Sequence, residues 1–219
     1  MESELNLITI LLASVCIAAA FGCVIADRKK LRAAAVVAKV TASTCFVLLA
    51  FFVGAAETGY GRAIITALLL SWLGDVLLLS QRSPFLLAGI AAFFLAHIGF
   101  AIAFAMNKIS TPILAVSLTA GVVAGILLLR WLWSYLRGAY RWAVPLYVLA
   151  IVIMVSLAVA ASAESLPAGI AIGGVAFAVS DVAVARDRFV EHNGFNKAWG
   201  LPLYYFAQIL FAASAGTGG

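Results

Sequence analysis

Eight runs of mostly apolar residues follow one another along this 219-residue chain, at roughly 5–26, 32–54, 62–80, 84–106, 112–131, 142–163, 165–185 and 199–215. A helix needs about 20 such residues to cross the hydrocarbon of a bilayer. The runs do not alternate apolar and polar residues, so helices are expected rather than barrel strands. Charge, Gly and Pro separate them, as at Asp27 to Arg32, Gln81 to Pro84 and Arg186 to Lys197. The chain is 65% hydrophobic and 11% charged, whereas a soluble domain runs about 45–50% and about 25%. The expected fold class is therefore all-α. One polytopic membrane domain spans residues 1–219 with eight transmembrane helices and no separate soluble part.

The net charge of +5 reports topology rather than affinity for nucleic acid. Of the fourteen Lys and Arg residues, eleven fall in or beside the first, third, fifth and seventh loops. Arg62 and Lys108 lie on the opposite side, and Lys39 lies inside the second run. This asymmetry puts the odd-numbered loops in the cytoplasm and both termini on the other side of a cell membrane. The first run is preceded by Glu2 and Glu4 and followed by Arg28-Lys29-Lys30, the reverse of a secretory leader, so it reads as a retained helix. Cys16, Cys23 and Cys45 match no metal spacing and read as free, buried thiols. Trp131, Trp133, Tyr135, Tyr140 and Trp142 read as an interfacial belt, and Gly121-x-x-x-Gly125 as a close helix contact.

Two carboxylates interrupt the apolar pattern. Leu73-Gly74-Asp75-Val76 and Val179-Ser180-Asp181-Val182 each put an Asp after a small residue and before Val, 106 positions apart. Phe93-Phe94-Leu95-Ala96-His97 follows the first and Tyr204-Tyr205-Phe206-Ala207-Gln208 the second. The chain thus reads as two parallel four-helix repeats, about 1–110 and 111–219, with a site between them. At 1.5 Å per residue Asp75 lies about 7 Å and Lys39 about 10 Å inside the cytoplasmic end, with His97 and Gln208 deeper. These four and Asp181 are expected to share one cavity opening toward the cytoplasm. Ionisable groups at membrane depth are costly and usually functional. The plainer alternatives are a cation-paired structural Asp, a Lys39 snorkelling to the surface, and His97 and Gln208 as interhelical glue. Arg186 to His192 reads as a solvated loop whose arginines sit where a lipid phosphate could bind.

The sequence has no GxSxG, HExxH, CxxC, Walker or dinucleotide motif. A metal held by His97 and both Asp residues is conceivable, but zinc sites draw on more His or Cys. Three functions stay open on the residues alone: a membrane hydrolase, a proton-coupled transporter of small molecules, and a non-catalytic lipid-binding protein.

Leu73-Gly74-Asp75, Phe94-x-x-His97, Ser180-Asp181 with Phe189, and Tyr204-Tyr205-x-Ala207-Gln208, in this order and spacing, resemble the YhhN-like lysoplasmalogenase family of multi-spanning membrane proteins. The resemblance covers nearly the full length. It implies hydrolysis of the vinyl ether bond of a lysoplasmalogen, a single-chain ether phospholipid, to fatty aldehyde and glycerophospho-ethanolamine or -choline. Asp75 and Asp181 are carried over as catalytic. Lys39, His97, Tyr205, Gln208 and Arg186 are the expected substrate-binding residues. The chain departs from the family at Lys39-Val40, where Lys-Pro is common, and at Phe100, where Tyr is common. The chemistry needs an acid, a carboxylate and water, and no metal or organic cofactor. Two carboxyls in unlike surroundings can divide those roles, as in glycosidases. Burial and a neighbouring carboxylate keep one carboxyl protonated, and a nearby Lys39 would keep the other ionised. Asp181 is assigned as acid and Asp75 as base.

Overall fold

The computed structural model describes residues 2–80 and 82–216, with side chains from Asn6 onward. Gln81 and the side chains of Glu2 and Glu4 lie outside the described residues. Eight α-helices and no strands form among these residues: α1 Glu2–Arg28, α2 Arg32–Phe52, α3 Gly59–Leu77, α4 Ser83–Ala105, α5 Thr111–Leu132, α6 Tyr140–Ser162, α7 Ala168–Ala185 and α8 Gly194–Ser214. Each expected run becomes one helix. The boundaries follow local chemistry. Thr58 caps α3 by accepting from the Gly61 N–H at 2.9 Å, so α3 begins before the apolar run does. Asn193 caps α8 in the same way through Asn196, carrying that helix back over polar residues the hydropathy pattern had left out. Pro84 and Pro112 stand in the first turns of α4 and α5, where no intrahelical N–H is lost.

Among the described residues, seven helices are long and apolar enough to cross a membrane, α7 together with the turn that follows it. The exception is α8. It has 21 residues, but Asn196, Lys197, Tyr204, Tyr205 and Gln208 dilute its apolar character, so seven of the eight expected spans meet this measure. Packing compensates. Lys197 pairs with Asp27 at 3.0 Å near the start of α8, and Ser214 pairs with Tyr60 at 2.9 Å near its end. The helix thus runs between opposite ends of the bundle.

The helices form a ring in the order α1, α2, α3, α4, α6, α7, α8 and back to α1, with α5 outside on α6. Exchanging the two four-helix sets maps the α4–α6 contact onto α8–α2, whereas α1 meets α8 and α5 makes no comparable contact with α4. Gly121 and Gly125 admit α6 closely: a Cβ at either would lie 2.9 Å from Val152 or 3.1 Å from Val148. An interlocked aromatic core of Phe46, Phe93, Phe100, Phe177, Tyr204 and Phe211 fills the ring's interior. All three cysteines are free and buried. Trp131, Trp133, Tyr135 and Trp142 are exposed around the α5–α6 turn, while Tyr140 packs on Phe189.

Two turns shape one end. Between α1 and α2 the N–H of Leu31 bonds Ala26 O and that of Lys30 bonds Asp27 O, a Schellman ending whose left-handed position (φ 58°) holds Lys30 rather than the usual Gly. After α7, Arg186–Val190 continue as a π-helical turn in which Asp187 is buried, not as a solvated loop. Such turns are rare and frequently found at functional sites.

Candidate active site

Asp75 is 3% exposed and fully engaged. Lys39 Nζ lies 3.1 Å from Oδ1, while Oδ2 accepts from Ser43 Oγ at 2.6 Å and from the Tyr204 hydroxyl at 2.7 Å. Lys39 and Ser43 share a face of α2 because they are four residues apart. Ser43 has one proton and two acceptors in reach, Asp75 and the Lys39 carbonyl at 3.0 Å, and the nearer, charged acceptor takes it. Tyr205 then donates to Ser43 Oγ at 3.1 Å or to the Lys39 carbonyl at 3.2 Å. A carboxylate held by an ammonium and two hydroxyl donors is arranged to carry charge.

Asp181 is held more loosely. Its Oδ2 is 3.2 Å from His97 Nε2, and its side chain remains 13% exposed. The Tyr147 hydroxyl is close enough to interact with it. His97 is fully buried, with Nδ1 2.7 Å from the Phe93 carbonyl and its ring against Phe177 (4.6 Å) and Tyr147 (5.1 Å). Although close, His97 Nε2 and Asp181 Oδ2 make no well-aligned hydrogen bond. Poor alignment of that kind is common in catalytic groups before substrate binds.

Both carboxylates line one cavity of about 790 Å³, within the roughly 300–1,000 Å³ typical of ligand sites. Lys30, Arg32, Arg188 and Lys197 form its basic mouth, with Asp27 beside them. Lys39, Asp75, Tyr147, Asp181 and Tyr204 line its middle. Gly121, Ala124 and Leu128 of α5 with Ile151, Val152 and Val155 of α6 make an apolar branch.

Of the expected substrate-binding residues, only Lys39 reaches this cavity. Tyr205 supports Ser43 from behind. His97 stands behind Asp181. Gln208 is fully buried beside Tyr204, and its amide has no aligned partner. Arg186 bonds Asn196 at 3.0 Å and Glu191 at 3.1 Å and does not line the cavity; the neighbouring Arg188 does. The single five-residue polar cavity expected from depth is thus two clusters facing one space. The metal reading also loses its geometry, because His97 faces Asp181 while Asp75 faces Lys39. Among the described residues no group of three His, Cys, Asp or Glu gathers. Sequence reasoning passed over Ser43, Tyr147 and Tyr204. The first stands four residues after Lys39 and the last four before Gln208, and that spacing was the available signal. Tyr147, a phenol inside an apolar stretch of α6, carried almost none.

The YhhN family matches residues 34–215, which hold both aspartates and every partner named above. Lysoplasmalogenase TMEM86A from Bos taurus and its counterpart from Homo sapiens are each 31% identical over 160 residues, covering 69% of this chain and 64% of theirs. The chain therefore matches a little under two thirds of these relatives' length. No solved structure matches.

Proposed function

The chain belongs to the YhhN family, and we propose that it is a membrane hydrolase that cleaves the vinyl ether bond of a lysoplasmalogen. One observation carries this reading: two aspartates with unlike partners, one bound by donors and one beside an imidazole, line a cavity that is basic at its mouth and apolar at depth. A single-chain phospholipid has the same order of chemistry. Its phosphate suits Lys30, Arg32, Arg188 and Lys197, its tail suits the α5–α6 branch, and its ether lies between.

In this mechanism Asp181 is the acid and Asp75 the base. The Asp181 carboxyl gives its proton to the β-carbon of the vinyl ether, whose π electrons form the new C–H bond, leaving an oxocarbenium ion. The Asp75 carboxylate stabilises that cation and takes a proton from the water that adds to its carbon. The hemiacetal then collapses. Its hydroxyl proton returns to Asp181, the bond to the glycerol oxygen breaks, and that oxygen takes the proton from Asp75. Fatty aldehyde and glycerophospho-ethanolamine or -choline leave, and both carboxyls regain their starting states. General acid and base steps of this kind contribute about 10²–10⁴ each.

The charge asymmetry puts the mouth at the cytoplasmic face and both termini opposite. We read α8 as an eighth span, buried because it carries the site, and the chain as two parallel four-helix halves. The test is aldehyde release from lysoplasmalogen by the purified protein in detergent, lost in Asp75→Asn and in Asp181→Asn. Full release by both variants rejects the assignment. Uptake of a polar solute into liposomes without product would favour a transporter, a reading for which the cavity's apolar branch is poorly suited.

A further inference from the structure

We propose that His97 and Asp181 hold a single proton between them, and that His97 is the positioning residue that keeps this proton available on Asp181. The use of that proton rests on the hydrolase reading; the sharing does not. The Phe93 carbonyl can only accept, so at 2.7 Å it requires the proton on His97 Nδ1. In the neutral ring Nε2 is then a bare acceptor, and it faces Asp181 Oδ2 at 3.2 Å. With no proton between them, two lone pairs oppose each other and the Asp181 anion has no cation. With two protons, an imidazolium stands unpaired against Phe177 and Tyr147. One proton satisfies both atoms, as an ion pair or as a carboxylic acid donating to imidazole.

The surroundings isolate the pair. From α6 the facing titratable group is Tyr147, and from α7 it is Asp181 itself. The Asp75 of α3 is taken up by Lys39, Ser43 and Tyr204. The rest of α4 carries no ionisable residue. The burial of His97, and its place behind Asp181 rather than on the cavity wall, exclude direct contact with substrate.

The chain contains only two histidines, so nitrogen NMR of isotopically labelled histidine gives two sets of signals, and His192→Gln assigns them. At neutral pH His97 should show Nδ1 protonated and Nε2 sharing a proton with Asp181, and Asp181→Ala, which leaves nothing there to donate, should convert Nε2 to a free acceptor. An unchanged His97 signal in Asp181→Ala overturns the proposal. In the aldehyde assay His97→Asn should lower kcat about 100-fold with little change in KM and displace the alkaline limb of the kcat profile. Phe177→Leu, which loosens the same ring without touching a proton, should lower kcat without moving that limb. If His97→Asn behaves like Phe177→Leu, His97 is packing only and the proposal fails. A wild-type protein that releases no aldehyde refutes the hydrolase reading, while the NMR arm still decides the pair.

Discussion

The surroundings of Asp75 and Asp181 are built from corresponding helices yet differ in chemistry. Each aspartate stands on the third helix of its four-helix set. Each meets a side chain from the second helix of its own set and one from the last helix of the other. For Asp75 these are Lys39 and Ser43 on α2 and Tyr204 on α8; for Asp181 they are Tyr147 on α6 and His97 on α4. Three donors close around Asp75. One imidazole and one phenol leave Asp181 more open. The two positions occupy the same place in the order of helices, and the side chains give them unlike partners.

The sharpest way to break this comparison is to neutralise each carboxyl. Asp75→Asn and Asp181→Asn should each cut aldehyde release by about 10²–10⁴, the scale of a lost acid or base. Their thermal melts in detergent should diverge. Asp75→Asn strands the half-buried Lys39 ammonium and should destabilise by about 3–5 kcal/mol. Asp181→Asn keeps a polar group beside His97 and Tyr147 and should cost about 1 kcal/mol. Equal melts would mean that the two sites are alike after all.

A smaller effect isolates the ion pair. Lys39→Met leaves Asp75 with only its hydroxyl donors and should destabilise by about 3 kcal/mol, whereas Lys39→Met combined with Asp75→Leu should recover most of that loss, because a buried pair can be replaced by apolar residues. Denaturation of the two variants side by side decides it. Next come the phenols. Tyr204→Phe removes a bond to a charged acceptor and should cost about 1.5–3 kcal/mol, against about 1 kcal/mol or less for Tyr147→Phe, both read from melting. The smallest effect lies at the mouth. Lys30→Gly should relieve left-handed strain and stabilise by about 1 kcal/mol, while raising KM for lysoplasmalogen a few-fold through the lost charge.

Much of this molecule was legible before any fold was known. The eight runs foretold the eight helices, and the paired Asp motifs marked the positions that now line one cavity. Gly121 and Gly125 were legible as a close contact because a missing side chain on one helix face has few other uses. The errors share a cause. Lys39, His97 and Gln208 were grouped by depth, but depth fixes only the position along a helix axis. Rotation about that axis and the neighbour across the gap separate Gln208 from the cavity and turn His97 toward Asp181. Arg186 and Arg188 are two residues apart, and only the π-helical turn decides which reaches the mouth.

The sequence alone determined the membrane environment, the helical class and the two carboxyls set among apolar residues. Long apolar runs leave the backbone no partner but itself, and every charge among them stands out. Only the tertiary structure decided that Lys39, Ser43 and Tyr204 bind Asp75 while His97 and Tyr147 serve Asp181. Those meetings depend on helices distant in the chain packing at particular rotations, and such rotations are set by the shapes of all the side chains together.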